Sequence, residues 1–71
     1  MDNGIDVILY QKLETGELFL LEERTWNMNM VSALEHINYL IVGGQEYETL
    51  EGRLNVDTNK LELLLVAVRH D

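Results

Sequence analysis

Two rhythms of apolar residues alternate along the chain. Ile5-Asp6-Val7-Ile8-Leu9-Tyr10 is a β-branched and aromatic run, and Leu18-Phe19-Leu20-Leu21 is a second apolar run. Runs of this kind, bounded by polar and glycine-containing clusters, predict strands. Between them Glu14-Thr15-Gly16-Glu17 predicts a turn in which Gly16 takes positive φ, and hence a first hairpin. From Asn27 to Asn38 the period changes. Met30, Ala33, Leu34 and Ile37 fall at i, i+3, i+4 and i+7, the stripe of a short amphipathic helix. Asn27 or Asn29 can cap its start. Ser32 with Glu35 also fits a capping box, but too little chain follows to sustain a helix begun there.

Tyr39-Leu40-Ile41-Val42 returns to strand chemistry, and Gly43-Gly44 forms a two-residue turn into Gln45-Glu46-Tyr47-Glu48-Thr49-Leu50, a second hairpin. This strand is expected to continue to Val56 through Gly52, a candidate bulge, since Leu50, Leu54 and Val56 share one parity and Tyr47 has the other. Asp57-Thr58-Asn59-Lys60 is a polar turn with Asn59 suited to the left-handed conformation. It leads into Leu61-Glu62-Leu63-Leu64-Leu65-Val66-Ala67-Val68, where both parities are apolar from Leu63 onward. A central strand covered within one chain and a strand packed against a second copy both account for that pattern. With no proline and only five glycines, nothing divides the chain. The reading is a single small domain over residues 1–71. It is α+β, with about five antiparallel strands in hairpins and one short helix between strands 2 and 3.

Length constrains this fold further. A chain of 71 residues buries only about 60% of the surface its unfolded form exposes. Small chains offset the deficit with disulfides, a structural metal or oligomerisation. The absence of Cys removes disulfides and thiolate metal sites together, and His36 and His70 are too few for a zinc cage. No metal or cofactor is expected. Oligomerisation remains, and Leu63, Leu64, Leu65, Val66 and Val68 are the interface candidates for a homodimer. Met1-Asp2-Asn3-Gly4 carries no positive n-region, and no apolar run approaches the roughly 18 residues of a membrane span. A cytoplasmic location without a membrane partner is therefore expected.

Charge narrows the possible partners. Thirteen Asp and Glu stand against five Lys and Arg, a net charge of −8, in a chain that is 46% hydrophobic. A disordered acidic tail would lack the apolar residues. The imbalance disfavours direct binding to nucleic acid or anionic lipid, since phosphate binding depends on Lys and Arg, and it favours basic partners. Glu46 and Glu48 stand at i and i+2 of a strand, about 6.6 Å apart on one face. Glu62 is expected on the partner strand, with Glu51 and Asp57 farther along. Negatives fixed at this spacing are similar in scale to a phosphate backbone, so a DNA-binding protein would be drawn by the field that steers it to DNA. The candidate contacts are Asp6, Glu14, Glu17, Glu22, Glu23, Glu46, Glu48, Glu51, Asp57 and Glu62, each standing in for a phosphate opposite Lys or Arg. Acidity that serves only solubility is the plain alternative.

Catalytic readings are weaker. Ser32 and His36 are four apart on the expected helix with Glu35 between them, but the spacing supplies neither an oxyanion hole nor a group to orient the base. Carboxylate pairs among Glu22, Glu23, Glu46, Glu48 and Glu51 would need a cleft with an apolar wall. Asp57-Thr58-Asn59 opens like a calcium loop, but the glycine at the sixth position and the Glu at the twelfth are missing. No enzyme is expected. Trp26, beside Met28 and Met30, suits either a core anchor or a contact with a protein partner.

In size, acidity, lack of Cys and Pro, and β-rich pattern, the chain resembles the small DNA-mimic proteins that bacteriophages make during host takeover, particularly those that inhibit the histone-like nucleoid protein HU. Residues such as Glu46, Glu48, Glu51 and Asp57 carry the resemblance, which extends over the whole chain and contains no diagnostic motif. It implies a homodimer in the bacterial host cytoplasm that occupies the basic DNA-binding surface of HU and disturbs nucleoid organisation. The alternative is a small SH3-like assembly module that binds a protein partner through Trp26 and the Met-rich segment.

Overall fold

Strands β1 (Gly4–Lys12), β2 (Leu18–Asn27), β3 (Tyr39–Val42), β4 (Gln45–Asn55) and β5 (Lys60–Ala67) form one sheet in the order β2-β1-β5-β4-β3, with a helix α1 (Met28–Ala33) after β2. The computed structural model describes residues 4–69. His70 and the first three residues, which enter the sequence reading above, lie outside them.

The expected helix position and strand number hold, but the sheet is mixed. β1 and β2, β3 and β4, and β4 and β5 pair antiparallel, whereas β1 and β5 run parallel, with Val7 opposite Leu61 and Leu9 opposite Leu63. The correction has a topological cause. β2 folds back on one side of β1 and leaves the other side free for β5, and parallel neighbours require a long crossover, here α1 with the β3–β4 hairpin.

Local chemistry explains the turns. Gly16 has φ 92°, and Leu13 N–H donates to Glu17 C=O at 2.8 Å across the first hairpin. Gly43 and Gly44 have φ 58° and 81°, both positive as a type I′ turn requires. Asn59 takes φ 60°, while the Asn55 side chain accepts from the amides of Asp57 and Thr58, an Asx turn that nucleates the third hairpin.

The helix is shorter than the apolar stripe suggests. Asn27 caps it, accepting from Met30 N–H at 2.8 Å. Regular helix stops at Ala33, and Leu34, Glu35 and His36 instead donate to the carbonyls three residues back. That tighter turn places Leu34 against the core and carries Ile37 out of the helix. Ser32 and His36 consequently do not share a helix.

The bulge also moves. The β4–β5 register slips at Leu50, between Thr49 and Glu51, and Gly52 stays in register opposite Leu63. A Cβ on Gly52 would stand 3.1 Å from a Leu63 methyl, so glycine there serves close packing. The extra residue at Leu50 brings Tyr47 and Leu54 onto the same face despite their opposite parity. A second slip leaves Leu21 unpaired in β2.

One face of the sheet carries the core. Val7, Leu9, Trp26, Tyr47, Leu63 and Leu65 form its buried cluster, and Val31 and Leu34 of the helix segment pack over them. β5 is central and buried on both faces: Leu63 and Leu65 lie in this cluster, and Leu64 is buried on the other side. The first half of the doubly apolar pattern, Leu63 to Leu65, is thus buried within one chain. Of the interface candidates, Leu63, Leu64 and Leu65 are buried, whereas Val66 and Val68 are half-buried.

Candidate acidic face

On the face of the sheet opposite α1, Ile8, Glu62 and Leu64 are buried, while Asp6, Glu23, Glu48 and Glu51 around them are exposed. Residues paired across strands point to the same side, so the register defines what this open face displays. One row across it reads Thr25, Asp6, Lys60, Asn55, and the next reads Glu23, Ile8, Glu62, Arg53. The third reads Leu20, Tyr10, Leu64, Glu51. Beyond it Val66, Glu48 and Tyr39 stand side by side, and Glu46 lies opposite Ile41.

The first two rows are internally compensated. Lys60 Nζ lies 2.6 Å from Glu23 Oε2, and Thr25 donates its hydroxyl to Asp6 at 2.7 Å. Glu62 is only 6% exposed. It accepts from Arg53 Nε and from the Asn55 side-chain amide at 3.2 Å. Those two hydrogen bonds, Arg53 first, hold the Glu62 carboxyl below its ordinary range against the opposing effect of burial. Arg53 and Lys60 are shifted up, chiefly by their hydrogen bonds to Glu62 and Glu23.

The other half of the face is different. Glu46, Glu48 and Glu51 follow one another along β4, and their cross-strand neighbours are Ile41, Tyr39, Val66 and Leu64, none of them charged. Among the described residues the ion pairs engage Glu14, Glu22, Glu23 and Glu62, and none engages Glu48 or Glu51. The bulge at Leu50 creates this line. Without it Glu51 would share the side of Tyr47 and Thr49 and face the core.

Six of the ten predicted carboxylates therefore lie on the open face: Asp6, Glu23, Glu46, Glu48, Glu51 and Glu62. The remaining four do not. Glu14 and Glu17 belong to the first hairpin's turn, where Glu14 lies 3.6 Å from Arg69 and Glu17 accepts from Thr15. Asp57 sits in the last turn. Glu22 is on the core side of β2, bound to Arg24 Nε at 2.6 Å. Tyr39 and the 75%-exposed Ile41, which flank the line, were not among the predicted contacts. Their i, i+2 spacing on β3 is the signal that would have found them.

The remaining candidates are placed as follows. Trp26 is 6% exposed within the core cluster, which makes it a core anchor, whereas Met28 and Met30 are exposed. Its indole N–H is buried and has no hydrogen-bond partner among the described residues, a deficit that ordinarily costs about 1–3 kcal/mol. No group of three or more His, Cys, Asp or Glu among the described residues is arranged to hold a metal ion, and no described helix is long and apolar enough to cross a membrane. Comparison with known proteins returns no match to a family model, a curated protein or a solved structure.

Proposed function

We propose that the protein is a non-enzymatic, acidic DNA mimic that binds the basic DNA-binding surface of an HU-like nucleoid protein and blocks its access to DNA. The resemblance to phage host-takeover inhibitors places it in the bacterial cytoplasm and pairs it with a second copy as a homodimer. The observation that carries the reading is that Glu46, Glu48 and Glu51 lie on one face of one strand, with no charged residue directly across from Glu48 or Glu51. Glu46 and Glu48 are separated by about 6.6 Å, and both belong to a chain of net charge −8. Each would receive Lys or Arg of the target through a charge-assisted hydrogen bond, and Asp6, whose side chain among the described residues pairs only with the Thr25 hydroxyl, would add a further negative group toward the far edge.

The test is capture from bacterial lysate at low and high salt, followed by competition with duplex DNA. Recovery of HU or another basic DNA-binding protein, released by duplex and by salt, is the expected result. A partner that stays bound in concentrated salt and ignores DNA contradicts the reading.

A further inference from the structure

The two edge strands of the sheet approach each other without pairing. β2 and β3 lie at opposite ends of the strand order, yet both line one cavity of about 300 Å³ on the core side of the sheet. The sheet is curled but not closed, and a seam remains between its two edges. Leu9 and Trp26 from β1 and β2, Leu40 from β3 and Ala33 from α1 are among its lining residues. Glu22 and Arg24 contribute the polar part of the lining and neutralise each other.

Size and chemistry together define what would fit. The volume is at the lower end of the range for small-molecule sites, and an apolar lining with a few polar groups is their usual composition. The Trp26 N–H in this lining is buried without an acceptor, and an indole N–H can only donate. The Glu22–Arg24 pair presents no net charge, and the chain's overall −8 disfavours an anion. We infer that the seam is a binding site for a small, uncharged, largely apolar molecule carrying one hydrogen-bond acceptor, which takes the Trp26 N–H. The indole nitrogen is buried, so the wall beside it must shift to admit the acceptor; no residue of α1 is fully buried, although Val31 packs on the core cluster. The site lies mainly on the core side and meets the acidic line only at Ile41, the neighbour of Glu46, and binding there does not rest on the proposed function.

Trp26 is the only tryptophan, so nitrogen-15 spectra of the full chain contain a single indole N–H signal. Titration with acetophenone should move that signal downfield to saturation. Isopropylbenzene, similar in size but without an acceptor, should bind about tenfold more weakly, a ratio equivalent to about 1.4 kcal/mol. Ala33→Phe should fill part of the cavity and abolish the acetophenone response while the backbone spectrum stays folded. Equal affinity for the two probes, an unmoved indole signal, or no saturation overturns the inference. If Ala33→Phe does not fold, nuclear Overhauser contacts in the unaltered protein decide. Contacts from acetophenone ring protons to the Leu9 and Leu40 methyls support the site, and their absence at saturating probe rejects it.

Discussion

Arg53 and Glu62 face each other across β4 and β5, and their pairing makes a nearly buried carboxylate tolerable on the sheet face opposite α1, where Ile8 and Leu64 are buried as well. Asn55 supplies the second hydrogen bond to the same carboxylate. The arrangement ties up Glu62 in the fold. Glu46, Glu48 and Glu51, farther along the same face, have uncharged cross-strand neighbours. The face thus divides into a half tied together by ion pairs and hydrogen bonds and a half in which Glu48 and Glu51 face uncharged cross-strand neighbours.

Acid should expose the ion-paired half first. Glu62 has its folded pKa below the ordinary value of 4.5, so its contribution is complete above that value and is lost as pH falls through the depressed folded value. Glu62→Gln removes this linkage. Thermal melts of the two proteins should differ most near neutral pH and converge progressively below about pH 4.5; a constant difference down to pH 2 would refute the assignment.

Binding should depend on the β4 line and hardly on the hairpin tip. Glu48→Gln with Glu51→Gln should weaken capture of a basic DNA-binding partner by about 0.2–1 kcal/mol per carboxylate, the range for exposed ion pairs, and should flatten its salt dependence. Glu14→Gln with Glu17→Gln changes net charge equally but leaves the face intact. Isothermal titration of both doubles at two salt concentrations separates geometry from bulk charge. Equal losses in the two would show that only net charge matters.

Much of the fold was legible because its signals are local. Gly16, Gly43-Gly44 and Asn59 each mark a turn through backbone conformation, and Asn27 marks the helix start through its cap. The parallel β1–β5 pairing was not legible, since Val7 and Leu61 meet through a crossover of more than fifty residues that leaves no mark on either strand. The second half of β2, Glu22-Glu23-Arg24-Thr25, lacks apolar alternation because both its faces carry polar groups at an edge. The slip at Leu50 was also hidden. Leucine has no bulge signature, and Gly52, which has one, is required by Leu63 instead. For the site, residue type identified the carboxylates, but only the register could sort Glu51 from Glu22.

The core prediction concerns Leu65, fully buried in the central strand. Leu65→Ala should cost about 2–5 kcal/mol, the lost transfer energy plus the cavity left behind. That is comparable with the whole stability expected of so short a chain. Circular dichroism should show a largely unfolded protein at 37 °C, and a cooperative transition close to that of the unaltered chain would mean that β5 is not the centre of the core.

The Gly43-Gly44 turn permits a prediction with opposite signs at adjacent positions. Both residues have positive φ, and a Cβ at either would meet open space, so backbone conformation alone decides the outcome. Asn tolerates the left-handed region, and Asn-Gly is the preferred type I′ pair. Gly43→Asn should therefore keep the turn and stabilise by a few tenths to about 1 kcal/mol through a less flexible unfolded chain. Gly44→Ala forces a side chain into the same region without Asn's local hydrogen bonding, and should destabilise by about 1–2 kcal/mol. The hairpin also holds Glu46 in register with Ile41, so the weakened turn should raise amide hydrogen exchange in β3 before it affects β1. Denaturant melts of the two variants measure the signs. If both shift the midpoint in the same direction, the turn is not type I′ in solution, and the alignment of Glu46 with Glu48 and Glu51 would lose its local support.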